Sequence, residues 1–225
     1  MSFMKSNLKT LILAIAAGFC IGIGGIVFLM QSSKLAGAFL FAIGLLTILV
    51  FKFNLFTGMI GYLTENLCKK NWLYLLTVAI VWIGNFIGTA CAALLVKATR
   101  IAGDVNSSSG IVFYSNSLVN TKLNDSWYSL IILGIFCGIL MFIAVDTYKK
   151  NIEKKDFLCV VATFMGVMVF ILAGFEHSIA DMFYFTLSGK VIESLGPLAL
   201  ITLGNAIGGN IIPLVQLAVK KLSDE

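Results

Sequence analysis

Glu176, His177 and Ser178 stand side by side where a membrane helix should continue as hydrocarbon. The stretch Phe164 to Phe185 begins as an apolar run reaching Ala173, passes through Gly174-Phe175-Glu176-His177-Ser178, and turns apolar again at Ile179, with Asp181 as the next charge. His177 is the sole histidine of the chain, and an imidazole changes charge near physiological pH, so it can lend or take a proton there. An ionisable side chain at membrane depth is expensive and generally faces a bundle interior or an aqueous path. Gly174 and the polar cluster predict that the helix breaks here. A membrane tolerates a break only where the freed backbone is buried in protein or lines a cavity. A polar kink satisfied by neighbouring helices is the plainer alternative; a site on a conduction path is the reading taken. Adjacent Glu, His and Ser side chains diverge from one backbone, so they form no triad alone. With no Gly-x-Ser-x-Gly elbow, no metal-ligand spacing and no second histidine, neither an enzyme nor a cofactor or metal is expected.

Six elements can position this cluster. The chain of 225 residues is 59% hydrophobic and 12% charged, with mean hydropathy +0.99. Those values predict one all-α integral membrane domain over residues 1–225, with the lipid bilayer as its surroundings and about 20 residues per span. No hydrophilic stretch suffices for a second folded domain. The net charge of +5 forms no nucleic-acid footprint. Cys20, Cys68, Cys91, Cys137 and Cys159 show neither a CxxC pair nor metal spacing. No small-residue cleavage site follows the first apolar run, so no signal peptide is expected.

Met1 to Lys9 reads as a short interfacial amphipathic segment. The spans are expected at Leu11–Met30, Leu35–Leu67, Trp72–Val96, Trp127–Val145, around Phe164–Phe185, and at Leu195–Val219. A polar connection, Lys97 to Ser126, carries Ser107-Ser108-Ser109-Gly110. The second region is too long for one simple crossing and is interrupted by Lys52-Phe53-Asn54-Leu55-Phe56-Thr57-Gly58, a second broken helix. Lys52 could attract an anion there; the favoured alternative is that it snorkels to water or pairs with Glu65 or Asp146. Asp181 is expected to pair with nearby backbone or to face an outer vestibule. Lys5, Lys9, Lys69, Lys70, Lys149, Lys150, Lys154, Lys155, Lys220 and Lys221 fall on one side of a six-span layout, against Lys34, Lys97, Arg100, Lys122 and Lys190 on the other. The positive-inside rule places the first set and both termini in the cytoplasm of a multi-pass protein of the plasma (cell inner) membrane.

Gly84-Asn85-x-Ile87-Gly88 recurs as Gly204-Asn205-x-Ile207-Gly208, an offset of 120 (204 − 84). The same offset carries Thr57 onto His177 and Gly18 onto Gly138. Spans one to three and four to six therefore read as two repeats with a broken middle helix in each. Three spans apiece require opposite insertion, and paired interruptions in an inverted repeat point to a transport site near the midplane.

Gly174-Phe175-Glu176-His177-Ser178-Ile179-Ala180 resembles the fifth-helix signature of the formate/nitrite transporter family, and Leu55-Phe56-Thr57-Gly58 resembles its second-helix loop. The resemblance covers essentially the whole chain. It implies an aquaporin-like protomer, a homopentamer, and one anion passage through each protomer. Within it, His177 takes the place of the central histidine and Thr57 that of its hydrogen-bonding partner. Leu55 and Phe56 match the cytoplasmic constriction; Phe41, Leu45 and Phe170 match the outer one. Lys122 matches a lysine that lures anions to the outer mouth. Ordinary core packing is the alternative for Phe41, Leu45 and Phe170, and a solvated surface position for Lys122. The chain departs from the family at Gly138, where a pore asparagine is usual, at Asn54 and Lys52, where an acid and a glycine are common, and at Asp181, where asparagine is frequent. A pore that loses an amide at Gly138 would have more room and fewer donors. That is similar to the hydrosulphide-channel branch and suggests hydrosulphide as the anion carried, with formate or nitrite also possible.

Physically, apolar constrictions exclude a hydrated ion by dewetting and desolvation. A weak-acid anion escapes that cost by taking a proton where it is desolvated, near His177. Channel and proton-coupled transporter both remain readings. A neutral-solute channel of the aquaporin type is a third, weakened because Pro197 and Pro213 are the only prolines and no paired Asn-Pro-Ala loops exist.

Overall fold

The computed structural model describes residues 2–103, 110–154 and 156–223; Met1, Ser107 to Ser109 and Lys155, used above, lie outside them. The described residues form helices α1 (Ser2–Leu29), α2 (Lys34–Val50), α3 (Phe56–Met59), α4 (Leu63–Cys68), α5 (Leu73–Lys97), α6 (Ile111–Leu123), α7 (Trp127–Asn151), α8 (Leu158–Ala173), α9 (Ser178–Leu187) and α10 (Leu195–Ser223). Single 3₁₀ turns sit at Ile60–Tyr62 and Arg100–Ala102.

Helices α1, α5, α7 and α10 are each long and apolar enough to cross a membrane. The other two spans are broken: α8 and α9 meet at a 56° bend, and α2 is followed, after residues 51–55, by the run α3–α4. Among the described residues this is an all-α, multi-pass arrangement of membrane-length helices. Two expectations need correction. The segment ahead of Leu11 is no separate interfacial helix but the continuous start of α1, because nothing between Lys9 and Leu11 stops helix propagation. The polar connection contains a helix, α6, whose Ile111, Ser115 and Val119 are buried on one face at a spacing of four residues, the helical repeat.

The two halves pack alike. α1 lies on α5 and α2, as α7 lies on α10 and α8. Glycines permit the close approach: a Cβ on Gly18 would stand 2.1 Å from the Asn85 carbonyl oxygen, and one on Gly138 would stand 2.4 Å from that of Asn205. Each broken element then inserts into the opposite half. The α9 helix packs on α5 and α1, while α3 and its 3₁₀ turn pack on α7 and α10. All ten residues of α9 are buried; it runs through the middle of the bundle rather than along its lipid face.

The breaks have local causes. Gly174 ends α8 in the left-handed region (φ +75). Its N–H donates to the Ile171 carbonyl at 3.2 Å while that of Phe175 reaches Phe170 at 2.9 Å, a helix-closing arrangement that glycine adopts without a Cβ penalty. In the first half the left-handed residue is Lys52 (φ 56), where a side chain makes that conformation costly.

Candidate functional site

Two asparagines, one per half, hold the breaks open. The Asn85 side chain donates to Ala14 O (2.8 Å) and Asn54 O (2.9 Å) and accepts from Phe56 N–H (2.8 Å). The Asn205 side chain donates to Gly134 O (2.9 Å) and Glu176 O (2.8 Å) and accepts from Ser178 N–H (2.9 Å). Each amide thus ties a loop carbonyl to its own half's packed helices and satisfies an N–H at the start of α3 or α9, a donor with no intrahelical partner. Without water at this depth, such groups need protein partners. The Gly-Asn-x-Ile-Gly repeat marked these positions in the sequence; the clamping role needed the coordinates.

The clamps also correct the register of the repeat. The helices correspond at the offset of 120, since Ala14 and Gly134 serve the two asparagines alike. At the breaks the correspondence is 122 (178 − 56 and 176 − 54). Leu55, not Thr57, is therefore the counterpart of His177, and each is the N-cap residue of its helix, extended at φ −105 and −112. Thr57 and His177 are not equivalents but partners: Thr57 Oγ1 lies 2.9 Å from His177 Nε2, bridging the two halves in the buried centre.

His177 is 2% exposed. Its Nδ1 accepts from the Ala180 backbone N–H at 3.1 Å, capping α9. An amide can only donate, so Nδ1 carries a lone pair and the neutral ring holds its proton on Nε2. Nε2–H then donates to Thr57 Oγ1, leaving the threonine hydroxyl proton free to serve another acceptor. A second proton on the ring would have to displace the Ala180 bond. The Phe170 ring stacks on His177, centroids 5.4 Å apart, and Phe41 meets Phe170 edge-on at 6.0 Å.

A cavity of about 180 Å³ extends from Lys34 and Thr121 down to Phe170 and His177, with Lys122, Glu176 and Asp181 on its wall. Lys122, brought in by α6, is 12% exposed and donates to Glu176 Oε2 and, at 3.0 Å, to Asp181 Oδ1. It is therefore neither a solvated surface lysine nor a free cation; two carboxylates take up its charge. Asp181 pairs with a lysine rather than with backbone. At the opposite end, a cavity of about 490 Å³ is bordered by Tyr62, Glu65, Lys69, Asp146, Lys150 and Lys220.

His177, Thr57 and Phe170 come together as one group, with Phe41 behind Phe170. Phe41 and Leu45 are fully buried and do not line the cavity of about 180 Å³. Leu55 and Phe56, also buried, form the entry to α3 below Thr57. Gly138 does not line the cavity that reaches His177: the direction of its absent side chain points into α10, at the backbone of Asn205 and Gly209. The expectation that it enlarges a filter is wrong, because close helix packing requires glycine there. Lys52 pairs with neither Glu65 nor Asp146, which bond Lys69 (2.5 Å) and Lys150 (2.7 Å) on their own helices; Lys52 is exposed.

Comparison with known proteins follows the same outline. The family described as Formate/nitrite transporter is matched over residues 2–218. The chain is 27% identical to the "Formate channel FocA" of Escherichia coli (strain K12), covering 92% of this chain and 85% of that one. It is 25% identical to the "Formate channel FocA" of Haemophilus influenzae over 75% of this chain, a match spanning 62% of that relative's length. A solved structure described as "Pentameric formate channel with formate bound" superposes with TM-score 0.78 at 21% identity, over 97% of this chain and 98% of the other.

Proposed function

Because the chain belongs to the formate/nitrite transporter family, we propose that it is a channel for small monovalent anions of weak acids, formate first among them, with one passage through each protomer of a homopentamer. The observation that carries this is the Thr57–His177 bond, made by residues of two opposed breaks in the buried centre of the bundle. Formate leads because the curated relatives named above are formate channels. The case for hydrosulphide rested on Gly138, and the packing of that residue removes it; nitrite and hydrosulphide stay as secondary substrates.

On the outer side, Phe170, backed by Phe41 and Leu45, excludes a hydrated ion; on the inner side Leu55 and Phe56 do the same. Between them an anion finds the Thr57 hydroxyl proton, left free by the His177 Nε2–H bond to Thr57 Oγ1, and the N-terminal, positive end of α9. Crossing either apolar zone as a charge is costly, whereas the neutral acid crosses cheaply. The Thr57 hydroxyl, turned toward the anion by His177 Nε2–H, holds it while a proton entering from the outer water completes the neutral acid, and the histidine keeps its own proton throughout. The lysine-rich end, which includes Lys69, Lys150 and Lys220 around one cavity, faces the cytoplasm, with both termini there in the plasma membrane.

The test is flux into proteoliposomes of the purified protein under gradients of formate, nitrite, hydrosulphide and chloride. Formate moving fastest and chloride barely at all is the expected result. Hydrosulphide outrunning formate would transfer the first place to that anion, and water or neutral-solute permeability without anion flux would overturn the reading.

A further inference from the structure

We infer that Lys34, at the start of α2, is the cation that draws anions to the outer mouth. The inference rests on the channel reading and deepens it. Lys122 has the family position for such a lure, but its charge is spent. Lys122, Glu176 and Asp181 together leave no net positive charge on the cavity wall. The carbonyl end of α8 adds partial negative charge, since a helix C-terminus carries roughly half a negative charge. An anion approaching His177 past these groups alone would find nothing to attract it.

Lys34 reverses that balance. It lines the same cavity as Lys122 and His177 and also borders a second, wider one of about 510 Å³ beside Phe28, Gln31, Tyr114 and Ser117. It therefore stands where the narrow cavity meets the open one. Its Nζ donates to the Leu172 carbonyl in the last turn of α8 at 3.2 Å, so the charge is held against the helix end that most needs offsetting. The side chain is exposed and has no carboxylate partner among the described residues. The other outer cations are placed elsewhere: Lys97 donates to Thr186 O at 3.3 Å, Lys190 to Asn120 Oδ1 at 2.6 Å, and Arg100 lines a separate cavity with Ile101 and Ile111; none of the three borders this one. The narrow cavity, at about 180 Å³, has room for a small anion with a few waters. A fixed charge at such a mouth raises the local concentration of its counter-ion and the rate of entry, and salt weakens the effect.

The experiment is formate uptake into right-side-out membrane vesicles, at about 10 mM and about 150 mM ionic strength, where the screening length falls from roughly 30 Å to 8 Å. Wild type, Lys34→Gln, Lys34→Arg and Lys190→Gln are compared. For wild type the half-saturating formate concentration rises with salt. Lys34→Gln raises it about three- to tenfold at low salt and flattens the salt dependence, while Lys34→Arg and Lys190→Gln follow wild type. If Lys34 served only to close α8, its loss would lower the rate equally at both salt levels with the slope unchanged, and that result overturns the inference. So does a wild type without any salt dependence, a readout that needs no variant to assemble. Absence of formate uptake by wild type at either salt level would strike the channel reading itself instead.

Discussion

At the scale of single residues, the centre of the protein is a histidine whose two nitrogens have separate duties. Nδ1 is committed to the Ala180 N–H, which fixes the ring against α9 and selects the tautomer that aims a donor at Thr57. The threonine hydroxyl is thereby turned from a partner into a donor for whatever enters. Thr57→Val keeps the shape and removes that donor. Flux should fall roughly fivefold, corresponding to about 1 kcal/mol for one hydrogen bond, with the fold unchanged; Thr57→Ser should restore it, both read as initial formate flux in proteoliposomes. A valine variant with undiminished flux would leave Thr57 as a spacer. The sequence pointed to His177 and Thr57 by type and setting alone: an imidazole and a hydroxyl inside interrupted apolar runs. It could not reveal that Lys122 is caught between Glu176 and Asp181. That pairing joins residues 54 and 59 positions apart on elements whose meeting depends on the tertiary fold.

At the scale of elements, two half-helices are presented into the bundle by two asparagines, and glycines opposite those asparagines let the supporting helices come close enough. Gly138 shows how the same letter supports opposite readings. Aligned against a family it looks like a lost pore amide; against α10 it is a contact that tolerates no Cβ. Gly138→Ala should therefore lower thermal stability in detergent by about 3 kcal/mol or more, since the neighbouring atoms are backbone and cannot turn aside, and should scarcely alter the order of anion preference in whatever protein remains folded. Wild-type stability with changed selectivity would restore Gly138 to the passage. The interruptions themselves were legible, because polar residues in a hydrophobic run are conspicuous. Their register was not: a two-residue difference in loop length between the halves is invisible to a fixed-offset comparison, and only the asparagine hydrogen bonds expose it. The α6 helix escaped for a related reason. Its buried face holds a serine, Ser115, bonded to Tyr184 O and close to Ser188 Oγ, so its sequence lacks a strong apolar stripe.

At the scale of the whole molecule, the architecture follows from exchange between halves: each broken element fills the gap in the opposite repeat, and the Thr57–His177 bond lies where they meet. Composition, span lengths and the recurring glycine–asparagine pattern were enough to foresee the all-α membrane class and the paired breaks, because those depend on hydrophobic length and close packing. The distribution of charge between the two ends was legible in the lysine counts, but which cation stands free at the outer mouth was a matter of tertiary partners. The account's central claim is that a proton-bearing histidine, held by its own helix and bonded across to the other half, carries the anion through the apolar centre. The most direct measurement is formate flux against external pH for wild type and His177→Asn. Asparagine still serves as an N-cap for α9, so the fold stands, but its shorter side chain does not reach across to Thr57. The account predicts that flux falls by at least about tenfold at every pH between 5 and 8. Unchanged flux over that range would contradict it.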